Sequence, residues 1–366
     1  MPAGVAAVVL AVGSYTVSAA AAGDARWADP AVDVLSALGA PPATTAAGQL
    51  RDYDRAARRW DVRAQAEPTP PGTGWQTIRV GGLTRRYLLV LPPGSPGGAR
   101  RRPALLLVFH GLGERVSGFA TRTGLIGAAR TAGVVLVLPE SHGPAFDDGR
   151  FVTGGPQDTA FALAVVHRLV SARVVDPSRV TVAGFSNGAG MAMRIAGAAP
   201  RAVAAVVSID GEMIDAPGAP RPTGPVRAVL LHGTADRLQP WRGRRRRGLT
   251  SPSYVSVLAT VAQWVRVDRA GHPSRSVIQP VLAPSPSSPS SPGRGPGTGR
   301  SRVTSVVVTS WAPGSGGAGV TLYAMVGMGH RWPLGPGQGP PGAPVDPVSA
   351  TTLTVTTALT ATTGQR

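Results

Sequence analysis

The sequence contains no cysteine and no lysine among its 366 residues. Without cysteine it can form neither a disulfide bond nor a thiolate metal site, so the hydrophobic core must stabilise the fold. Without lysine it cannot build a P-loop, which needs that side chain against the phosphates of a nucleotide. These two absences remove several classes of function before any motif is considered.

The positive charge of the chain is carried by arginine. There are 37 basic residues against 19 acidic ones, a formal net charge of +18, which favours contact with phosphate-rich polymers. The basic clusters, however, lack the interleaved aromatic side chains of a single-strand binding groove. These clusters are residues 51–63, 100–102 and 244–247. We therefore predict that they are solvated surfaces or loops, and that nucleic acid is not a partner.

Charged side chains are also missing from residues 1–22, which end in Ser18 followed by four alanines. Small residues at this place suit signal cleavage, so we predict a signal peptide or N-terminal leader. The positively charged start of a typical signal peptide is lacking, which leaves a misplaced start codon or an uncleaved anchor helix as alternatives. A segment this weakly apolar makes a poor membrane anchor. We expect a secreted or cell-surface protein without stable membrane insertion after cleavage.

Composition divides the rest of the chain into two parts. Residues 23–74 are rich in Ala, Pro and Arg and are interpreted as a pre-domain segment. From Trp75 to about residue 362, short apolar β-branched runs alternate with helical patterns, which is typical of strands joined by crossovers. Within this domain, residues 280–302 are rich in Pro and Ser and cannot bury apolar surface, so we predict a disordered insertion there.

Nine runs of the domain are predicted as strands and four as helices. The predicted strands are residues 76–80, 86–91, 104–110, 133–138, 179–185, 203–209, 226–232, 303–309 and 320–326, and the helices are residues 121–131, 157–171, 187–199 and 253–268. Residues 345–360 are rich in Thr and Val, which favours a strand, although their position suggests a closing helix. Several strands are apolar on both faces, as buried parallel strands are. The predicted fold class is α/β, with a mostly parallel central sheet flanked by helices.

Gly184–Gly188, with the sequence Gly-Phe-Ser-Asn-Gly, is the most informative motif. In a G-x-S-x-G elbow the glycines leave room for a strained turn, which lifts the serine hydroxyl above a sheet, where a base can take its proton. An ordinary Gly/Ser loop is the alternative in a chain with 48 glycines. The strand predicted before the motif and the helix predicted after it favour Ser186 as a nucleophile.

A serine nucleophile needs a base and an acid, and in α/β-hydrolases the acid and then the histidine follow the serine along the chain. Asp236 comes just after the predicted strand 226–232, where an open sheet presents its active site. A turn or N-cap aspartate is the alternative interpretation. Asp210, which follows the preceding strand, is the competing acid.

His330 is the best candidate base among the six histidines. It follows the last predicted strand, and the glycines beside it let a loop carry the imidazole back over the elbow. The other histidines end a strand, or lie on a loop or helix without the required position after the acid: His110, His142, His167, His232 and His272.

An oxyanion formed at the serine needs hydrogen-bond donors. Residues 110–113, His-Gly-Leu-Gly, follow the third predicted strand, from which hydrolases supply one backbone N–H. We assign the backbone N–H groups of Leu112 and Asn187 to this role, with an ordinary loop as the alternative. No cofactor or metal is predicted, because the histidines lack ligand spacing and no H-E-x-x-H occurs.

With these segments placed, the chain resembles the secreted polyhydroxybutyrate depolymerase and feruloyl esterase family of α/β-hydrolases over about residues 76–333. The runs that carry the resemblance are residues 108–113, 175–180 leading to 184–192, 232–236 with 240–241, and 329–333. The resemblance implies Ser186, Asp236 and His330 as a catalytic triad on the α/β-hydrolase fold. It also favours Asp236 over Asp210 as the acid.

The resemblance also implies a structural role for residues 147–150. Relatives often carry cysteines near the last hairpin, where this chain has residues 312–317 instead. No separate substrate-binding or linker domain is recognisable, which favours small-molecule or oligomeric esters over a solid polyester.

The leading hypothesis is therefore an exported serine esterase that works through an acyl-enzyme intermediate. One alternative is a non-catalytic surface-binding protein on a hydrolase scaffold, with arginine-rich loops that attach to anionic polymers. Another is a serine peptidase with the same triad.

Overall fold

A computed structural model describes residues 69–363, apart from residues 71, 94–100, 151–156, 216–218, 220, 246–251, 279–302, 315–316, 337 and 339–344. The predicted leader 1–22, the pre-domain segment up to residue 68 and the predicted insertion 280–302 lie outside the described residues.

Ten strands form one sheet with six helices packed on it in the described part of the chain. The strands are β1 (Gly74–Val80), β2 (Leu83–Val90), β3 (Leu105–Phe109), β4 (Val135–Pro139), β5 (Val180–Phe185), β6 (Ala205–Ile209), β7 (Arg227–Gly233), β8 (Pro273–Ile278), β9 (Ser305–Trp311) and β10 (Val320–Val326). The helices are α1 (Val116–Thr123), α2 (Leu125–Thr131), α3 (Asp158–Ser171), α4 (Asn187–Ala198), α5 (Val257–Asp268) and α6 (Ala350–Thr360).

The sheet has the order β1-β2-β4-β3-β5-β6-β7-β10-β9-β8. The six strands from β4 to β10 in this order run parallel, and the remaining two at each edge pair antiparallel. Parallel neighbours need crossover connections, and these cover both faces of the sheet. This arrangement confirms the predicted α/β-hydrolase fold.

Alternate residues of the central strands enter two separate cores. On β3, Leu105, Leu107 and Phe109 pack with α3, α4 and α5 on one face. Leu106 and Val108 pack with α1, α2 and α6 on the other face. The period of two follows from the pleat of a strand. Both faces of β3 are covered, which is why all five of its side chains are apolar. Polar side chains that could react with a ligand therefore have to follow the carboxyl ends of such strands.

All nine predicted strands are present, and their bounds differ from the prediction by at most three residues. β8 was missed because its six residues are exposed and lack an apolar alternation. The helix predicted at residues 121–131 is wrong in extent: the chain forms two helices, α1 and α2, divided at Gly124 with φ 67°. A left-handed residue of this kind ends a helix.

The closing segment is a helix, α6, although its composition favours a strand. Ser349 caps it by accepting a hydrogen bond from the Thr352 N–H at 3.1 Å. Thr354 and Val355 are among the buried residues of α6. The tertiary packing of this buried face outweighs the weak helix propensity of threonine and valine. No helix within the described ranges has both the length and the apolar character needed to cross a membrane.

Candidate active site

The predicted elbow is a strand, a strained turn and a helix. β5 ends at Phe185, and Ser186 has φ 55° and ψ −121°, a backbone conformation that non-glycine residues rarely adopt. A Cβ on Gly184 would lie 2.2 Å from the carbonyl oxygen of Gly188, and one on Gly188 would lie 2.3 Å from that of Phe109. Both glycines of the motif are therefore required by close backbone contacts, as the sequence predicted.

Hydrogen bonds from three sides hold this turn. The Ser186 N–H donates to the Ile209 carbonyl of β6 at 2.9 Å. The Asn187 amide oxygen accepts the Phe146 N–H at 2.8 Å, and its NH₂ group donates to Asp148 at 2.9 Å. Asp148 is in turn ion-paired with Arg150 at 2.7 Å, and all of these side chains are buried. The side chain of Asn187 thus fixes the elbow, a role that we did not predict.

His330 and Asp236 are brought together by the structure. The imidazole Nδ1 lies 2.6 Å from the Asp236 Oδ2. The other carboxylate oxygen accepts the backbone N–H groups of Leu238 and Gln239 at 2.8 and 2.9 Å. Burial alone would raise the pKa of Asp236, but His330 and these hydrogen bonds hold it below the usual value. Burial alone would lower the pKa of His330, but Asp236 beside it raises it.

His330 also lies next to the elbow. Its ring packs against that of Phe185, the residue before Ser186, with ring centroids 4.9 Å apart. Trp332 anchors the same loop to α6 by donating its indole N–H to Thr351 Oγ1 at 2.9 Å. Among the hydrogen bonds of the described residues, none joins the Ser186 hydroxyl to the imidazole. The structure pairs the predicted base with the predicted acid and packs the base against the residue before Ser186.

Asp210, the competing acid, has no hydrogen bond to the imidazole in the described part of the chain. Its two carboxylate oxygens accept the backbone N–H groups of Gly233 and Arg331 at 2.8 and 2.9 Å. Burial and the nearby Asp236 raise the pKa of Asp210 to about 6. The geometry thus favours Asp236 as the partner of His330, as the sequence resemblance implied.

Four of the five remaining histidines form backbone contacts or lie at the surface. His110 Nδ1 donates to its neighbour's carbonyl at 2.9 Å, and His232 Nε2 donates to the Gln239 carbonyl at 2.8 Å. His167 and His272 are exposed.

The two predicted oxyanion donors lie on adjoining segments. Asn187 opens α4, and Gly188 touches the backbone at the end of β3, so the loop that carries Leu112 meets the helix N-terminus. On either side of Leu112, the N–H groups of Gly111 and Gly113 donate to Glu114 and Pro144. Considering described acceptors only, the N–H groups of Leu112 and Asn187 have no partner. The N-terminus of α4 favours a negative charge beside the Asn187 N–H.

Asp210, His232 and Asp236 place one ligand atom each within 4.8 Å of one another, which is close enough for a metal ion. Each group already has another partner. Asp210 accepts two backbone N–H groups, His232 donates to a carbonyl, and Asp236 accepts from His330. A hydrogen-bonded network therefore accounts for this cluster, and the donor set does not fit a cation without breaking those bonds.

Glu212 is a further buried group at this edge that the sequence argument missed. It follows β6, and neither of its carboxyl oxygens has a hydrogen-bond partner among the described residues. Burial, with a smaller contribution from Asp236, raises the pKa of Glu212 to about 9. The side chain is therefore a neutral acid at pH 7. Its backbone N–H donates to Gln239 Oε1 at 2.7 Å, which ties it to the loop after β7.

A family model and a curated relative both indicate an esterase family. The family model described as Esterase PHB depolymerase matches residues 85–219. NocK of Nocardia uniformis subsp. tsuyamanensis, which is named as an esterase, is 34% identical over 272 residues. That match covers 70% of this chain and 73% of NocK, and so includes most of the described sheet.

Two solved esterase structures are similar to this chain. The acetyl xylan esterase from Aspergillus awamori is 15% identical, with a TM-score of 0.45, over 70% of this chain and 94% of that one. A thermostable esterase is 15% identical, with a TM-score of 0.43, over 54% of this chain and 52% of that one. The match thus spans about half the length of the thermostable esterase.

Proposed function

This chain belongs to the Esterase PHB depolymerase family, and we propose that within this family of esterases it is an exported serine hydrolase that cleaves carboxylic esters through an acyl-enzyme. The observation that carries the proposal is the pairing of His330 with Asp236 beside the strained turn at Ser186. Nucleophile, base and acid come from the ends of three different parallel strands, where such a sheet presents its chemistry.

In the proposed reaction the Ser186 hydroxyl attacks the ester carbonyl while His330 takes its proton. His330 then gives that proton to the departing alcohol, which leaves an acyl group on Ser186. Water attacks the acyl group by the same route and releases the acid. Asp236 holds the imidazole in the tautomer that has its free nitrogen towards the serine, and stabilises the imidazolium that forms.

Charge that develops on the carbonyl oxygen is received by the N–H groups of Leu112 and Asn187. Neither amide has an acceptor among the described residues, and the end of β3 contacts the start of α4 at Gly188. Donors fixed in this way need no reorganisation during the reaction, and each is expected to contribute about 10²–10³-fold in kcat. Because the donors are backbone groups, the Asn187 side chain is free to anchor Phe146 and Asp148.

The proposed substrate is a small or oligomeric ester, and the proposed place of action is outside the cell. The resemblance to polyhydroxybutyrate depolymerases and feruloyl esterases supports an ester substrate, and its small or oligomeric size remains the expectation from the sequence. The location follows from the apolar leader at residues 1–22. No cofactor takes part, because proton transfer and nucleophilic attack are both performed by side chains of the chain itself.

A panel of acetyl, butyryl, hydroxybutyrate-oligomer and feruloyl esters tests this proposal. We expect the wild-type protein to hydrolyse at least one class, and Ser186→Ala to lose turnover by a factor of about 10⁴ or more. Ser171→Ala, at the exposed end of α3, is the matched serine control and is expected to keep full activity. Equal turnover by wild type and Ser186→Ala would reject Ser186 as the nucleophile.

A further inference from the structure

Asp210 has an unusual position for a residue that is not the acid of the triad. It directly follows β6, is fully buried, and has φ 46° although it is not glycine. A strained, buried carboxylate persists only where its surroundings fix it, and such residues cluster at functional sites. Two strong hydrogen bonds provide that fixation here.

These two hydrogen bonds join the loops that carry the acid and the base. Asp210 Oδ1 accepts the N–H of Gly233, three residues before Asp236. Its Oδ2 accepts the N–H of Arg331, the residue directly after His330. One carboxylate therefore spans from the end of β7 to the loop after β10.

The two loops are already in close contact at this point. A Cβ on Gly233 would lie 2.3 Å from the carbonyl oxygen of Met328, and the Ala235 N–H donates to that same carbonyl at 3.0 Å. Arg331 is the residue directly after His330. The hydrogen bond from its N–H to Asp210 therefore restricts how far the His330 backbone can move. A displaced Arg331 amide would move the imidazole relative to Asp236 and Ser186.

We propose that Asp210 is a positioning residue for the ester hydrolysis proposed above: its carboxylate fixes the Arg331 amide, and thereby holds the His330 imidazole between Asp236 and the elbow. This inference rests on the proposed function. Asp210 does not touch the reacting atoms, because both of its oxygens are already bonded to backbone N–H groups. Its effect on the reaction passes through His330.

Several charged or titratable groups lie around His330, Asp236 and Asp210, and they determine how the protonation of His330 responds to a change at Asp210. These groups come from four elements of the site: Asp236 and His232 at the end of β7, Glu212 after β6, Glu114 after β3, and Arg331 on the same loop as His330. The charge of Asp210 adds to that of Asp236 in raising the pKa of His330. Removal of the Asp210 charge therefore shifts the pKa of His330 downward, and this shift distinguishes positioning at the site from support of the fold alone.

Asp210→Asn is the direct test. Asparagine has the shape of aspartate and tolerates the left-handed backbone conformation. Its NH₂ group, however, cannot accept a hydrogen bond, so one of the two backbone N–H groups loses its acceptor. We expect kcat for an ester substrate to fall about 10–100-fold, because the imidazole is displaced from its catalytic position. KM is expected to stay within about twofold of the wild-type value, because substrate binding is not changed. We also expect the acidic limb of the kcat/KM profile to move to lower pH.

Asp268→Asn is the matched control. Asp268 is also buried, and it also accepts a backbone N–H, that of Val226 at 3.0 Å. Val226 directly precedes β7, so this hydrogen bond lies at the amino end of the parallel strands, away from their carboxyl ends. The asparagine oxygen of this variant still accepts the Val226 N–H, and its kcat and acidic limb are expected to stay unchanged. Asp210→Gly is the second test variant, because glycine removes the carboxylate and also relieves the strain at φ 46°.

The outcomes separate the two proposals. If wild type hydrolyses esters but both Asp210 variants keep its kcat and its acidic limb, the positioning role is overturned and the esterase proposal stands. If wild type hydrolyses no ester and takes no fluorophosphonate label, the esterase proposal itself fails. If Asp210→Asn does not fold, the Asp210→Gly profile decides the question in the same way.

Discussion

The Nδ1 of His330 lies 2.6 Å from the Oδ2 of Asp236, although 94 positions separate the two residues in the chain. The sheet order explains the contact, since β7 and β10 are parallel neighbours and their carboxyl ends carry the two loops. Burial leaves Asp236 with no solvent to stabilise its charge, so the imidazole and two backbone N–H groups do so instead.

Asp236→Asn tests this pair. Asparagine fits the space but removes the charge that stabilises the imidazolium and fixes the tautomer, so we expect kcat to fall by up to about 10⁴-fold. The pKa of His330 should fall with it, which moves the acidic limb of kcat/KM to lower pH. Steady-state kinetics between pH 5 and 9 would measure both effects. Asp215→Asn, an exposed carboxylate, is the control, and a similar loss of kcat in that control would contradict a specific role for Asp236.

Gly188→Ala tests the close approach that shapes the elbow. The new methyl group would lie 2.3 Å from the Phe109 carbonyl oxygen, a backbone atom that cannot move without shifting β3. We expect a loss of about 1–3 kcal/mol in the free energy of unfolding, together with a loss of ester turnover. Chemical denaturation would measure the stability.

Gly127→Ala on α2 is the matched control for that substitution, because nothing lies within 4 Å of the added methyl group. It is expected to stabilise the protein by about 0.5–1 kcal/mol, as alanine does in place of glycine inside a helix. If Gly188→Ala were as stable and as active as this control, the steric account of the elbow would be wrong.

Glu212→Gln tests the neutral buried acid beside Asp236. The pKa of Glu212 is raised from 4.5 to about 9 in the folded protein, so the folded state binds a proton that the unfolded state releases above pH 4.5. The stabilisation is complete below about pH 4.5 and is lost as the pH rises through 9. Glutamine carries no titrating proton and removes this dependence.

We therefore expect the stability of wild type to decline relative to Glu212→Gln by up to about 1.4 kcal/mol per pH unit between pH 5 and 9. Urea denaturation at several pH values would measure the difference. Parallel curves for the two proteins across this range would show that Glu212 is already ionised in the folded state.

The sequence predicted those parts of the site that depend on local pattern. The elbow at Ser186 needs only a strand, two glycines and a helix, all of which are adjacent in the chain. Asp236 and His330 were selected because each follows a predicted strand, and parallel strands present their carboxyl ends on one side of the sheet, which is where the structure brings these two side chains together.

The roles of Asp210, Glu212 and the Asn187 side chain could not be predicted in this way. Each depends on contacts between segments that are distant in sequence, such as Asp210 with Arg331 or Asn187 with Phe146. Secondary structure was missed for a similar reason. The polar strand β8 exists because it pairs with β9, and the threonine-rich α6 exists because its buried face packs on the sheet.

Fluorophosphonate labelling followed by peptide mass spectrometry tests the central claim most directly. The reagent reacts with a serine that a neighbouring base has activated, so it reports the nucleophile without any choice of ester substrate. We predict a single adduct on the peptide that contains Ser186, and no adduct in Ser186→Ala. Ester turnover by a wild-type protein that is labelled at another serine, or is not labelled at all, would contradict the account.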